Sequence, residues 1–243
     1  MLKNLQESEY AVLNYDDPLV QKLGEKTKAK VLYFSAKTKV DGCYLEEGKI
    51  YFIGKEVVGL DDLPINGEHN VLNLLATVCV AKAIGISDED IIRGIKSFKG
   101  VKHRIQHVAT IDGVDYVNDS KATNIDATCK AIDAILKPTV LILGGKDKGI
   151  NFDGLFEKIK DSRVKSVVIT GESKYSLLES AKRVGFQKVS MVEDFYLAID
   201  LAKMIATDGD CVLLSPACSS FDSFTDFEHR GDEFIRYVEN FNG

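Results

Sequence analysis

The chain has 243 residues, and 45% of them are hydrophobic, enough to fill the core of one large or two modest domains. Its formal net charge is -6, with lysine and arginine scattered rather than in runs, which argues against nucleic acid as a main partner. No stretch of about 18 apolar residues is present, and residues 1–10 contain no apolar run. The sequence therefore predicts neither a membrane span nor a secretory signal, and we expect the protein in the cytoplasm.

The cysteines are odd in number and never form a Cys-x-x-Cys pair. This pattern predicts neither a disulfide scaffold nor a zinc site, and we interpret the cysteines as small core residues rather than redox groups. They are Cys43, Cys79, Cys129, Cys211 and Cys218.

The first half of the chain begins with segments that favour strands. Apolar, β-prone residues predict buried strands at 11–16 and 30–35, followed by a β-meander over 43–58. The turns of the meander are expected at 47–48 and 54, where glycines occur.

Two helices and a linker are predicted next. Residues 70–84 are apolar almost all the way round, which predicts a helix that stops at Gly85. Residues 87–90 form a capping-box pattern that opens a second helix. Residues 99–102 are the predicted linker. The buried face of the second helix is expected to carry Ile91, Ile92, Ile95 and Phe98.

The second half, from about residue 103, opens with a predicted hairpin whose Asp112-Gly113 pair is a type I′ turn signal. Strands then alternate with helices, an order that predicts a doubly wound, largely parallel, Rossmann-like α/β sheet. The predicted strands are 139–145, 166–171, 188–192 and 211–217. The predicted helices are 155–159, 177–184 and 195–206, with a last helix at the end of the chain.

Polar clusters follow four of these predicted strands. In a doubly wound sheet, ligands bind beyond the carboxyl ends of the strands, so the clusters predict a site for a small molecule. Asp119 with Lys121 two residues on suits a polar, charged ligand. The clusters are 119–124, 144–149, 171–174 and 215–230.

Each cluster also has a purely structural interpretation. Asp119 or Ser120 is a candidate N-cap for a helix starting near Thr123. Residues 144–149 are alternatively a tight βα turn that lacks the P-loop pattern, and 171–174 are expected to form a loop.

Two further features leave alternatives open. His103-Arg104 is either a solvated pair or a donor that reaches a phosphate. Phe221, Phe224 and Phe227 recur every third residue, which predicts a half-buried aromatic stripe. We expect Phe221 and Phe224 in the core and Phe227 against a pocket.

Five stretches together resemble the Mur ligase family, in its order and spacing across essentially the whole chain. The resemblance is to the branch that adds D-glutamate, because NDSKATN and SPACSSFDSF match that branch rather than its sister enzymes. The stretches are GEHNVLNLLA (67–76), KHR (102–104), NDSKATN (118–124), LILGGKDKG (141–149) and SPACSSFDSFTDFEHRG (215–231).

The resemblance implies two domains. Residues 1–100 would be the C-terminal part of the central ATPase domain, and 101–243 a Rossmann-like C-terminal domain that binds the amino acid. It also implies ATP with Mg²⁺ as cofactors, and D-glutamate and UDP-N-acetylmuramoyl-L-alanine as substrates, joined through an acyl phosphate. The UDP-binding domain, the P-loop, the Mg²⁺ ligands and a modified lysine are expected to lie outside these residues.

The chain alone is therefore not expected to catalyse, and a missing N-terminal half is a candidate partner. The alternative is a non-catalytic module that binds the amino acid and the nucleotide. The residues that the resemblance assigns to the nucleotide are Asn70 and Asn73 at the adenine, Arg104 at the phosphates and Asp119 at the ribose. Those assigned to D-glutamate are Lys121, Thr123, Lys148, Ser220 and Phe227, with Lys146 as an alternative to Lys148.

Overall fold

The structure is a computed structural model that describes residues 2–62, 68–98 and 100–242. The chain divides into two compact units, Met1–Lys99 (unit 1) and Gly100–Gly243 (unit 2). Gly67 of the GEHNVLNLLA stretch and Lys99 of the predicted linker lie outside the described residues. In the described part of the chain, no helix is long and apolar enough to cross a membrane.

Unit 1 contains one five-stranded sheet with the strand order β1-β2-β3-β4-β5. The first three strands are parallel, and the last three form an antiparallel meander, which confirms the predicted strands and meander. The strands are β1 (Tyr10–Asn14), β2 (Lys30–Ser35), β3 (Gly42–Glu46), β4 (Lys49–Phe52) and β5 (Lys55–Gly59).

The helices of unit 1 are α1 (Pro18–Gly24), α2 (Glu68–Ala83) and α3 (Asp88–Lys96). α2 and α3 were predicted, whereas α1 was not. Asp17 caps α1 by accepting hydrogen bonds from two backbone amides, and Ser87 caps α3 through the amide of Asp90, as expected for the capping box.

One expected core residue of α3 was wrong. Phe98 is 53% exposed, because α3 ends at Lys96 before its periodic pattern reaches that position. Ile91 and Ile95 are buried, and Ile92 packs partly against the same core.

Unit 2 contains a six-stranded sheet with the order β10-β9-β8-β11-β7-β6, parallel except for β6. This confirms the doubly wound α/β prediction. Asp112 and Gly113 have φ angles of 50° and 77°, as a type I′ hairpin turn requires. The strands are β6 (Gln106–Ile111), β7 (Val114–Asn118), β8 (Thr139–Gly144), β9 (Val164–Thr170), β10 (Val189–Met191) and β11 (Cys211–Leu214).

Helices cover both faces of this sheet. α4, α5 and α6 pack on one face around Phe156, and α7 and α8 pack on the other around Phe234. The central strands β8 and β11 are consequently buried along their whole length. The helices are α4 (Ile125–Ala134), α5 (Asp153–Lys160), α6 (Lys174–Val184), α7 (Phe195–Ile205) and α8 (Phe227–Glu239).

Candidate functional site at the carboxyl edge of unit 2

The four polar clusters of unit 2 lie on one edge of its sheet. β11 pairs in parallel with both β7 and β8, so that Leu214 is in register with Asn118 and Ile142. β8 pairs in parallel with β9, which places Gly144 beside Thr170. The loops that leave these strands therefore meet at the carboxyl edge, where a ligand site is expected.

Asp119 is the centre of a buried hydrogen-bond network at this edge. It is 1% exposed, and its Oδ2 accepts a hydrogen bond of 2.8 Å from Ser215 Oγ. Its Oδ1 accepts one of 3.2 Å from the amide of Ile105. Burial raises the pKa of the Asp119 carboxyl to about 6, although both hydrogen bonds oppose that shift.

The interpretation of Asp119 or Ser120 as a helix cap was wrong. Asn124 caps α4 instead, and its Oδ1 accepts a hydrogen bond of 2.9 Å from the amide of Ala127. Asp119 and Ser120 lie too far before the helix and bond to other elements. Ser120 Oγ donates to the backbone carbonyl of Phe227 over 2.8 Å.

Lys121 and Phe227, which the resemblance assigns to the same ligand, lie in contact at this edge. The ammonium of the exposed Lys121 lies 4.4 Å from the centroid of the Phe227 ring, a cation–π contact. Thr123 is half-buried and immediately precedes the N-cap Asn124. The loop after β7 thus presents a cation beside the first turn of α8.

The two lysines of the glycine loop differ in their partners. Lys146 forms an ion pair of 2.8 Å with Glu172. Lys148 is exposed, and no ion pair of its ammonium is found in the described part of the chain. Of the two, Lys148 is therefore the cation that can bind an anionic ligand without losing an internal partner.

Close packing of backbone fixes this glycine loop against the loop after β11. Gly145 has a φ of 150°, and a Cβ atom on it would lie 2.2 Å from the carbonyl oxygen of Ser219. The amide of Lys146 donates to that same carbonyl over 2.8 Å. Residue 145 must therefore be a glycine for the two loops to meet.

Ser219 and Ser220 carry buried hydroxyl groups without a hydrogen-bond partner among the described residues. Ser220 is 1% exposed. Its backbone carbonyl is occupied, since it accepts from the amides of Ser223 and Phe224. A buried hydroxyl that makes no internal bond costs free energy, so both side chains are candidates to bond a ligand.

The aromatic stripe is not one face of a helix. Residues 221–226 form turns and bends, and α8 begins only at Phe227, so the three-residue spacing does not align the rings. Phe221 is 68% exposed, and its expected place in the core was wrong. Phe224 does pack against the core, with its ring centroid 5.0 Å from that of Phe195.

The residues assigned to the nucleotide are divided between the units. Asn70 and Asn73 are exposed and lie one turn apart on α2 of unit 1. Arg104 is exposed in unit 2, whereas His103 is 1% exposed and its Nδ1 lies 3.0 Å from Asn118 Nδ2. The interpretation as a solvated pair is therefore wrong for His103.

Sequence reasoning gave no role to Arg230, although it falls within the fourth cluster. Its guanidinium is buried at the carboxyl edge, and it also lines a cavity of about 210 Å³ beside Gly145, Gly171 and Phe224. No periodicity or spacing distinguishes such an arginine from one at the surface.

The described residues contain no group of three or more His, Cys, Asp or Glu side chains that could hold a metal ion.

The fold defines a doubly wound α/β domain that presents exposed lysines and unpaired buried hydroxyls at one edge, joined in sequence to a second α/β unit. Comparison with known proteins identifies the class. The model described as "Mur ligase middle domain" matches residues 1–81, and "Mur ligase, glutamate ligase domain" matches residues 103–218.

The chain belongs to the Mur ligase family. It is 42% identical over 239 residues to the UDP-N-acetylmuramoylalanine–D-glutamate ligases of Bacillus mycoides and Bacillus thuringiensis. These alignments cover 98% of this chain and 53% of each relative. The chain thus spans about half the length of the curated relatives that it matches.

Solved structures support the same fold. MurF from Acinetobacter baumannii aligns with a TM-score of 0.68 at 19% identity, over 97% of this chain and 53% of that one. MurF ligase from Thermotoga maritima, solved in complex with ADP, aligns with a TM-score of 0.66 at 18% identity, over 98% and 56%. At these identities the likeness establishes the fold and nothing finer.

Proposed function

We propose that this chain supplies the amino-acid-binding part of an ATP-dependent ligase of peptidoglycan synthesis in the cytoplasm. The ligase joins the amine of D-glutamate to the carboxylate of UDP-N-acetylmuramoyl-L-alanine through an acyl phosphate. The observation that carries the proposal is the 42% identity to D-glutamate ligases along 98% of the chain. The chemistry of the carboxyl edge supports it independently.

D-glutamate carries two carboxylates, and the carboxyl edge of unit 2 offers groups that suit both. Lys121 and Lys148 are exposed cations, and charge-assisted hydrogen bonds to carboxylates are among the strongest in proteins. Ser220 adds a buried hydroxyl with no partner among the described residues. In this proposal Thr123 and Phe227 complete the pocket, and Lys146 stays paired with Glu172.

The nucleotide side of the proposal uses Asn70 and Asn73 at the adenine, Arg104 at the phosphates and Asp119 at the ribose. A carboxylate has about four acceptor positions, so the two internal hydrogen bonds of Asp119 leave capacity for a ribose hydroxyl. Because Asp119 is 1% exposed, that contact requires part of the surrounding structure to move.

We infer that these 243 residues do not turn over by themselves. Phosphoryl transfer depends on a phosphate-cradling loop and Mg²⁺, and the chain has neither a P-loop sequence nor, in its described part, a group of metal ligands. Purified alone with ATP, Mg²⁺ and both substrates, the chain is expected to release no phosphate above background. Turnover that survives removal of host ligase contamination would contradict this inference.

The proposed amino-acid site is tested in an enzyme completed with the N-terminal half of a related D-glutamate ligase. Lys121→Ala is expected to raise the KM for D-glutamate at least tenfold, because a hydrogen bond to a charged group contributes about 1.5–3 kcal/mol. Lys146→Ala is the matched control and is expected to change that KM by less than about twofold.

Two outcomes would count against the assignment. An unchanged KM in Lys121→Ala removes Lys121 from the site. A larger effect of Lys146→Ala than of Lys148→Ala exchanges the roles of the two lysines in the glycine loop.

A further inference from the structure

Arg230 is a buried cation without a carboxylate partner in the described part of the chain. It is 2% exposed, and each of its hydrogen bonds goes to an uncharged acceptor. Nε donates to Ser120 Oγ over 2.9 Å, and Nη2 donates to the carbonyls of Ser120 and Cys218 over 2.9 and 3.1 Å. Nη1 donates to the carbonyl of Gly144 over 3.4 Å.

Burying a guanidinium among neutral dipoles is unfavourable, and loss of solvent lowers the pKa of Arg230 to about 10. Core packing alone does not require such a residue, since a long apolar side chain would fill the same space at lower cost. What an apolar side chain lacks is the planar fork of donors, which can hold several acceptors in one fixed arrangement.

The acceptors belong to three different loops. Ser120 follows β7, Gly144 ends β8, and Cys218 lies in the loop after β11. Each loop continues directly into residues of the proposed D-glutamate site. Lys121 is next to Ser120, the lysines at 146 and 148 follow Gly144, and Ser219 and Ser220 follow Cys218.

We propose that Arg230 is a positioning residue, whose guanidinium fixes the three strand-end loops in the arrangement that binds the amino acid. This inference rests on the proposed function. Arg230 does not touch the ligand in this proposal, because its donors are directed at the protein backbone and at Ser120.

The arrangement also anchors the loop that carries the unpaired hydroxyls of Ser219 and Ser220. Cys218 is held through its carbonyl by Arg230, and Ser219 is held through its carbonyl by the amide of Lys146. The loop that carries the two hydroxyls is thus held in place, while the hydroxyls themselves make no internal hydrogen bond. Their donors remain available, which lowers the cost of ordering the site when a ligand binds.

The cavity beside Arg230 makes a chemical-rescue experiment possible. Arg230, Gly144 and Gly145 all line this space of about 210 Å³. In Arg230→Ala the lost guanidinium leaves room that joins the cavity, so a free guanidinium ion can enter. Urea has the same planar shape without the charge and serves as the control ligand.

The test uses the 243-residue chain and measures its dissociation constant for D-glutamate. Arg230→Ala is expected to weaken binding by at least about tenfold, and millimolar guanidinium, but not urea, is expected to restore most of the loss. Arg230→Lys keeps the charge without the fork and is expected to bind with intermediate affinity. Arg236→Ala is the matched control, because Arg236 is exposed on the same helix and pairs with Glu233.

A second readout does not depend on ligand binding. The amides of Lys146 and Phe224 bond to the carbonyls of Ser219 and Ser220, so they report on the loops. Both amides are expected to exchange with solvent about tenfold faster in Arg230→Ala than in the wild type, while exchange of the Leu141 amide in β8 is unchanged. If Arg230→Ala does not fold, the same measurement is made on Arg230→Lys.

The outcomes separate the two proposals. If the wild-type chain binds no D-glutamate but the loop amides respond as expected, the proposed function fails and the positioning role stands. If D-glutamate binds and the folded Arg230 variants keep wild-type affinity and loop exchange, the positioning role is overturned. Rescue by urea equal to that by guanidinium would also overturn it, since it would show that only volume matters.

Discussion

The two units treat polar side chains differently. Among the described residues of unit 1, one polar side chain, Ser35, is buried. Unit 2 buries many polar side chains, and most of them lie at the carboxyl edge of its sheet. The members at that edge include His103, Asn118, Asp119, Ser120, Thr170, Ser173, Ser215, Ser219, Ser220 and Arg230. Because burying polar groups costs free energy, such a concentration indicates a site that is organised in advance.

The packing of the two sheets explains how unit 2 stays stable despite the free-energy cost of its buried polar groups. Its strands β8 and β11 are buried on both faces by two layers of helices. In unit 1, α2 and α3 cover one face, and among the described residues the cluster on the other face is smaller, formed by α1, the N-terminal segment, β1 and β2. The larger apolar core of unit 2 offsets the burial of its polar network.

The largest expected effect comes from the core of unit 2. Phe234→Ala removes a fully buried ring and is expected to destabilise unit 2 by about 3–5 kcal/mol. Phe52→Ala in unit 1 is expected to cost clearly less, because Phe52 is only partly buried. Urea unfolding followed by assigned amide signals of each unit measures both.

Phe221→Ala is the exposed aromatic control and is expected to change stability by no more than about 0.5 kcal/mol. Equal losses of stability in Phe234→Ala and Phe52→Ala would contradict the comparison. They would show that unit 1 packs its aromatic residues as tightly as unit 2 does.

The second effect tests the buried polar network through pH. The pKa of Asp119 is raised from 3.8 to about 6, so the folded state binds more protons than the unfolded state between those values. The stability of unit 2 is therefore expected to fall as the pH rises from 4 to 6, by about 2 kcal/mol relative to Asp119→Asn. Urea unfolding of unit 2 at each pH gives this difference.

Asp153 supplies a control of opposite sign. Its hydrogen bonds with Arg183 lower its pKa to about 2, so its contribution is lost as the pH falls below 3.8. A difference between wild type and Asp119→Asn that does not vary from pH 4 to 7 would show that the Asp119 carboxyl is solvated, against the structure.

The third effect compares the units directly by hydrogen exchange. Amides of β8 and β11 are expected to exchange at least about a hundredfold more slowly than those of β1 and β2, because deeply buried strands open only in larger unfolding events. Indistinguishable exchange in the two sheets would mean that burial on both faces gives unit 2 no added protection.

Hydrophobic periodicity and turn residues predict most of the helices and strands of this fold. The predictions that were wrong have local causes. α1 escaped notice because it is only seven residues long and shows no sustained apolar period. Phe98 was placed on a buried face because the pattern extends past the real end of α3. The predicted core position of Phe221 was wrong because a three-residue spacing in a bent loop resembles the spacing of a helix.

The sequence predicts the position of the candidate site better than it predicts the contacts within it. Strand ends can be read from the sequence and give the positions of the four polar clusters, whereas the resemblance to the Mur ligases assigns Lys121, Lys148 and Ser220 to the amino acid. The sequence does not reveal that Asp119 is buried and bonded to Ile105 and Ser215 or that Arg230 joins three loops, because both facts depend on contacts between residues far apart in the chain. Packing distinguishes such residues from surface ones, and periodicity does not.

The central claim is that the carboxyl edge of unit 2 binds D-glutamate, and its most direct test is a titration of the isotope-labelled 243-residue chain followed by amide chemical shifts. D-glutamate is expected to shift signals next to Lys121, Lys148 and Ser220, and L-glutamate to do so at least about tenfold more weakly, since a preorganised edge distinguishes the hand of its ligand. The absence of shifts at these positions at tens of millimolar D-glutamate, or an equal response to both enantiomers, would contradict the claim.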